Sequence, residues 1–142
     1  MIGQINLLTS NGAWTFAGPT ATFSVGANQA IAGTGSASLG ISAGTVFAET
    51  YLCNQNAASG AVTQFGADTT HYQLVTITTN RTIFSSSGAT IPGAGSWKAG
   101  YCVNNNSGSA LDASDWASGV YEVVNSPSVT ASTVATSKAH VG

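Results

Sequence analysis

The sequence is poor in charged side chains. Only 6% of its 142 residues are charged, with three Lys and Arg against five Asp and Glu, where ordinary soluble domains have about a quarter. Three basic residues cannot neutralise the several phosphates that a nucleic-acid site contacts, so no nucleic-acid partner is expected. Sparse charge also leaves little electrostatic repulsion between copies, which favours self-association.

Long apolar runs are also missing. No stretch approaches the roughly 20 apolar residues that span a bilayer, so we expect no membrane insertion. The opening residues Met1 to Asn6 have neither the basic start nor the apolar centre of a secretory signal. We interpret Met1 as either a native start or the replacement of a removed signal peptide. Because apolar residues make up 43% of the chain and its net charge is only -2, a folded domain is expected.

Helical periodicity is absent as well, and short segments rich in Val, Ile, Thr and aromatic residues take its place. Clusters of Gly, Asn, Ser and Pro separate these segments at intervals of about 8 to 12 residues, as in sandwiches and barrels. Strands are predicted at 20–25, 29–32, 36–41, 45–53, 71–79, 81–84, 97–103 and 119–124. The expected fold is all-β, a single antiparallel β-sandwich of the jelly-roll type.

The chain ends differ from this middle region. Residues 1–18 read as an irregular N-terminal arm, 19–127 as the sandwich, and 128–142 as a tail or a strand exchanged with a neighbour. Five side chains are candidate partner contacts, because they are large and apolar in the two end segments or follow a polar loop: Trp14, Phe16, Trp116, Val129 and Val134.

A buried core is predicted from the apolar positions of the strands. Its members are Phe23, Val25, Leu39, Ile41, Val46, Leu52, Leu74, Val75, Ile77, Ile83, Phe84, Tyr101, Val103, Val120 and Val123.

The two cysteines lie in similar surroundings. Cys53 and Cys102 each lie near the end of a strand that contains a tyrosine, just before an Asn-rich turn. If both strands run towards the same end of the domain, they are not direct antiparallel neighbours but lie on facing sheets or are separated by one strand, and an inter-sheet disulfide between the two cysteines is then expected. Two reduced cysteines packed as small apolar residues are the alternative. The asparagines of both turns are candidate loop-tip residues: Asn54, Asn56, Asn104, Asn105 and Asn106.

No arrangement of residues points to catalysis, and the chain is not expected to be an enzyme. His71 follows Asp68 by three residues, but no third group is fixed beside it, so a structural role is expected. Asp112 and Asp115 are further loop-tip candidates. With the asparagines they could form a calcium loop, although an Asx-capped turn explains the same residues. We therefore expect no metal and no cofactor.

The stretch 95–125, GSWKAGYCVNNNSGSALDASDWASGVYEVVN, resembles uncharacterised β-sandwich domains of actinobacteria and their phages. In that pattern a Gly-aromatic-Cys-Val strand leads through an Asn/Gly turn and a Leu-Asp-x-x-Asp-aromatic loop into a Val-rich strand. The resemblance implies the fold and carries no known chemistry. Since the chain lacks the signal peptide of the secreted members, the phage side of the group is favoured.

Two functions are compatible with these features. The first is a structural virion protein, a capsid-decoration, head-surface or fibre module on the virion surface that binds itself or other structural subunits. The alternative is an extracellular or cell-surface bacterial domain for binding or adhesion, with a cell-surface glycan as a possible ligand, or a filament subunit.

Overall fold

The computed structural model describes residues 1–67 and 72–126 and consists of two antiparallel β-sheets packed face to face. Asp68, His71, Val129 and Val134, together with the tail 128–142, lie outside the described residues. The strands are β1 (Ile2–Gln4), β2 (Trp14–Phe16), β3 (Ala21–Val25), β4 (Gln29–Leu39), β5 (Val46–Asn56), β6 (Thr63–Gln64), β7 (Gln73–Ile77), β8 (Thr82–Thr90), β9 (Gly95–Asn104) and β10 (Trp116–Asn125). One short 3₁₀ turn, Phe65–Ala67, precedes β7.

The two sheets contain four and six strands. The four-stranded sheet has the order β1-β10-β4-β8. In the six-stranded sheet β9 and β5 are the two central strands. β2 and β3 both pair with the edge of β9 that faces away from β5, and β6 and β7 both pair with the edge of β5 that faces away from β9. The predicted β-sandwich is confirmed, whereas its jelly-roll connectivity remains a prediction.

Alternation of side chains explains how the six-stranded sheet contributes to the core. Val46 and Ala48 of β5 lie opposite Ile77 and Val75 of β7, and all four are buried. Leu52 continues the same face of β5 and is fully buried. Because successive residues of a strand point to opposite faces, this set fixes which side of the sheet faces the interior.

Glycines replace large side chains on the inner face of the four-stranded sheet. A Cβ atom at Gly35 would lie 2.5 Å from the Tyr121 hydroxyl and 3.1 Å from Leu52 Cδ2, and one at Gly33 would overlap the Tyr121 ring. The sequence predicted two short strands interrupted at these glycines. The structure instead forms one eleven-residue strand, β4, because the glycines leave the room that the tyrosine ring fills.

The predicted N-terminal arm is part of the sandwich. β1 pairs with β10, β2 pairs with β9, and Ile5 and Leu8 are buried in the core. Backbone hydrogen bonds link Leu8 and Leu111 in both directions, with N–O distances of 3.4 and 2.9 Å. The apolar residues that suggested an exposed arm are therefore used largely to close the domain.

Three predicted core residues are exposed. Leu74, Ile83 and Val120 lie on the outer faces of their strands, at 68% to 75% exposure. In each case the neighbouring residue faces inward instead: Val75 is buried, and Phe84 and Tyr121 pack against the core. Both faces of these strands carry apolar residues, so periodicity alone did not distinguish the inner from the outer side.

This assignment makes a matched pair of leucine substitutions informative. Leu52→Ala should lower the free energy of unfolding by about 2 to 5 kcal/mol, because it leaves a cavity between the sheets. Leu74→Ala should change it by less than about 0.5 kcal/mol, because the side chain is exposed. Urea unfolding of both variants measures the difference, and equal losses would contradict the assigned faces.

Candidate functional site: the outer faces of the sandwich

The outer face of the four-stranded sheet is the most distinctive surface among the described residues. Ser118 of β10 lies opposite Ile2 of β1 and Ser36 of β4, and the Ser36 and Ser118 hydroxyl oxygens are 3.0 Å apart. Counting in steps of two from this row identifies the other outward residues. They are Gln4 of β1, Trp116, Val120, Glu122 and Val124 of β10, Ala32, Thr34 and Ser38 of β4, and Ile83, Ser85, Ser87 and Ala89 of β8. We call this set the four-stranded outer face.

This face combines large exposed apolar side chains with small ones. Ile2, Ile83, Trp116 and Val120 are between 53% and 75% exposed. Glu122 is the one ionisable side chain in the set, and the other members between the large residues are mainly Ser, Thr and Ala. Ile2, Trp116 and Val120 occupy neighbouring positions of β1 and β10, and an exposed apolar cluster of this kind is typical of an interaction surface.

Two shallow depressions lie over β4 on this face. One, of about 290 Å³, is lined by residues that include Gly35, Ser36 and Gly119. The other, of about 380 Å³, is lined by residues that include Gly33 and Gly88. Thr34 and Val120 line both, so these two cross-strand neighbours form a ridge between the depressions.

The outer face of the six-stranded sheet also carries exposed apolar side chains. Phe47 and Leu74 are 59% and 68% exposed and occupy neighbouring cross-strand rows of β5 and β7. Beside them Glu49 accepts a hydrogen bond from Asn104 Nδ2 at 3.2 Å. Apolar contact positions therefore lie on both outer sides of the sandwich.

Tyrosines occupy the interior beneath the four-stranded outer face. The Tyr51 hydroxyl would lie 2.8 Å from a Cβ atom at Gly88, while Tyr101 and Tyr121 both approach Gly35. The hydroxyl oxygens of Thr50, Ser86, Tyr101 and Tyr121 are buried and have no hydrogen-bond partner within the described part of the chain. The Thr50 and Ser86 hydroxyls lie beside that of Tyr101 but not in hydrogen-bonding geometry.

Burial changes the acidity of two of these tyrosines. Desolvation by burial is the main cause that raises the pKa of Tyr101. Desolvation also raises the pKa of Tyr121, and repulsion from an ionised Tyr101 adds to it. Both rings therefore remain neutral when the domain is folded at physiological pH.

The predicted disulfide is present, but it joins neighbouring strands of one sheet. Cys53 and Cys102 are bonded with a Cα–Cα distance of 5.7 Å. β5 and β9 pair antiparallel, with Cys53 opposite Gly100 and Cys102 opposite Tyr51. The bond therefore crosses the ladder diagonally. The expectation of an inter-sheet bond was wrong because the two strands run in opposite directions, not towards the same end of the domain.

The same antiparallel pairing separates the two Asn-rich turns. Asn56 lies opposite Trp97 and Asn104 opposite Glu49, near opposite ends of the β5–β9 ladder. Asn54 and Asn104 belong to strands, and Asn54 and Asn105 are buried. These three are not loop tips. Asn56 begins an Asx turn by accepting a hydrogen bond from the Ala58 N–H at 3.0 Å, and Asn106 is exposed beyond the end of β9.

Asn105 has a structural role that the sequence did not indicate. Its Nδ2 donates to the carbonyl oxygens of Ser109 at 2.8 Å and Leu8 at 3.4 Å. Its Oδ1 accepts hydrogen bonds from the backbone and side chain of Ser107. The Asn105 side chain therefore connects the N-terminal segment to the turn after β9 by hydrogen bonds.

Asp112 and Asp115 bind different neighbours. The Asp112 carboxylate accepts hydrogen bonds from Ser42 N at 2.8 Å and from the Ser42 hydroxyl at 2.6 Å, which lower the pKa of Asp112. Asp115 forms an exposed ion pair with Arg81 at 3.4 Å. Among the described residues no group of three or more His, Cys, Asp and Glu side chains is arranged to hold a metal ion.

The candidate partner contacts also differ from one another. Trp116 is more than half exposed on the four-stranded outer face. Trp14 and Phe16 are half-buried in β2, and Phe16 packs over Gly100, with its Cδ1 3.1 Å from a Cβ built there. Sequence reasoning missed the outward residues Ile2, Phe47, Leu74, Ile83 and Val120. The one available signal was the presence of apolar residues on both faces of a strand.

The buried tyrosines predict sensitivity to alkaline pH. Tyrosines in the unfolded chain ionise near pH 10, whereas the folded pKa values of Tyr101 and Tyr121 are raised. The contribution of these two buried tyrosines to the free energy of unfolding is therefore fully present below about pH 10. It decreases as the pH rises from there towards their pKa values in the folded state. Urea unfolding between pH 8 and pH 11 should show this decrease, and Tyr121→Phe should reduce it. Tyr72→Phe, at an exposed ring, is the control, and an unchanged slope in Tyr121→Phe would contradict the prediction.

Comparison with known proteins supplies no relative. No protein-family model matches the chain, and no curated protein and no solved structure is significantly similar to it. Within the described residues, no helix is long and apolar enough to cross a membrane. The functional interpretation therefore depends on the surface of the domain.

Proposed function

We propose that this chain is a structural subunit of a phage particle, of the capsid-decoration, head-surface or fibre type, that stabilises an assembly by contacts between subunits. The observation that carries the proposal is the exposure of large apolar side chains on both outer faces of the sandwich. Ile83 and Val120 mark one face, and Phe47 and Leu74 mark the other. A subunit placed between neighbours needs contact surfaces on more than one side.

The low charge of the chain supports the same role. Desolvating charged groups opposes close packing between proteins, and the four-stranded outer face has Glu122 as its one ionisable side chain. The disulfide Cys53–Cys102 fits a protein exposed outside the cell, since such bonds persist on virion and cell surfaces. The tail 128–142 remains a candidate strand for exchange with a neighbour.

A secreted binding or adhesion domain is the second candidate, and Trp116 is the observation that favours it. Its exposed side chain lies in register with Gln4, and the preceding residue, Asp115, donates its backbone N–H to the Ser38 carbonyl oxygen at 2.9 Å. An aromatic surface with neighbouring hydroxyl and amide groups can bind a sugar ring. In this alternative the domain acts outside the cell or at the cell surface and binds a glycan.

Incorporation into particles tests the proposal. Particles of the encoding phage, purified on a density gradient, should contain the chain in a fixed ratio to the shell protein, as measured by mass spectrometry. Phe47→Ser with Leu74→Ser, and separately Ile83→Ser with Val120→Ser, should lower incorporation several-fold by removing apolar contact area. Ile91→Ser is the control, because Ile91 is exposed in the loop between β8 and β9.

Two results would count against the virion role. One is absence of the chain from purified particles. The other is a monomeric secreted protein that binds a glycan array and loses this binding in Trp116→Ala, which would favour the adhesion role.

A further inference from the structure

The four-stranded outer face has a shape that can pair with itself. The ridge formed by Val120 and Thr34 separates two depressions of about 290 and 380 Å³. The floors of the depressions contain glycines of β4, β8 and β10 and small side chains of β4. A ridge on one copy can therefore enter a depression on another copy, as facing sheets interdigitate in a sandwich.

We infer that this face binds the same face of a second copy, forming a two-fold symmetric pair of sandwiches. The inference rests on the proposed assembly function for its purpose and names the partner of one of its surfaces. A two-fold interface uses one patch twice, so the patch must be complementary to itself in shape and charge.

Charge allows this pairing. The central rows of the face, from Ile2 to Ser85 and from Val120 to Ser87, contain no ionisable side chain. The ion pair of Arg81 and Asp115 precedes β8 and β10 at one end of the face. Each depression is bordered by one charged group: the Met1 α-amino group, which donates to the Gly119 carbonyl oxygen at 3.1 Å, lines the smaller one, and Glu122 lines the larger one. An apolar centre within a polar rim is the usual arrangement of a protein–protein interface.

The available area sets the expected strength. The strands β1, β10, β4 and β8 contain 3, 10, 11 and 9 residues. At about 4.8 Å between strands and about 3.4 Å per residue they cover on the order of 530 Å² of sheet in each copy. Pairing would bury roughly 1,100 Å² in total, just below the range of standard stable interfaces. The pair should therefore be reversible, with a dissociation constant in the micromolar to submillimolar range, and should strengthen when an assembly holds the copies together.

Sedimentation equilibrium of the purified chain between about 5 µM and 1 mM should show a monomer–dimer equilibrium. Val120→Lys should raise the dissociation constant at least about tenfold, because pairing would bury two new charges near the centre. Ile91→Lys is the control: it adds the same charge at an exposed position in the loop between β8 and β9, outside both proposed contact faces, and should leave the equilibrium unchanged. Circular dichroism confirms that both variants are folded.

The position of the contact is tested separately by cross-linking. Thr34→Cys lies on the ridge and should form disulfide-linked dimers under mild oxidation, while Ser59→Cys, at an exposed position in the turn after β5, should not. A monomer at 1 mM, or a dimer that Val120→Lys weakens no more than Ile91→Lys does, would overturn the inference. If the chain is monomeric but enters particles through this face, the pairing is wrong and the proposed function stands. If it pairs but is absent from particles, the pairing stands and the virion role fails.

Discussion

The packing of tyrosine rings against glycines between the two sheets is the constraint on which the rest of the structure depends. Tyr121 lies over Gly33 on its own sheet, and its hydroxyl reaches Gly35, where Leu52 and Tyr101 arrive from the other sheet. A side chain at either glycine would occupy the space of the ring. This explains why β4 continues through residues that usually interrupt strands.

The outer surface follows from this interior. Successive residues of a strand point to opposite sides, so an inward Tyr121 places Val120 in solvent, and an inward Phe84 does the same for Ile83. The small inner residues of β4 alternate with small outer ones, which gives the outer face its shallow depressions. The proposed contact surface therefore lies on the solvent side of the same sheet whose inner side packs against the tyrosines.

The sequence predicted the fold class well because local alternation and turn residues carry that information. It also identified both members of the disulfide. Their placement in one sheet depends on the pairing of β5 with β9, which are distant in sequence, and no local pattern encodes this pairing. The same limit applies to Ile5 and Leu8, whose burial requires contact with β10 and the segment before it. For Val120 and Leu74 the face of the strand was ambiguous, because apolar residues occupy both sides.

The most direct test of this account is the substitution Gly33→Ala, measured by urea unfolding alone and combined with Tyr121→Leu. Strand propensity by itself would make alanine neutral or favourable at this position. Steric overlap with the Tyr121 ring predicts instead a loss of about 1 to 3 kcal/mol. Part of this loss should disappear in the Tyr121→Leu background because the ring is gone, while the contact of the new Cβ with the Val120 carbonyl oxygen at 2.8 Å remains. An unchanged free energy of unfolding for Gly33→Ala, or an equal loss in both backgrounds, would contradict the account.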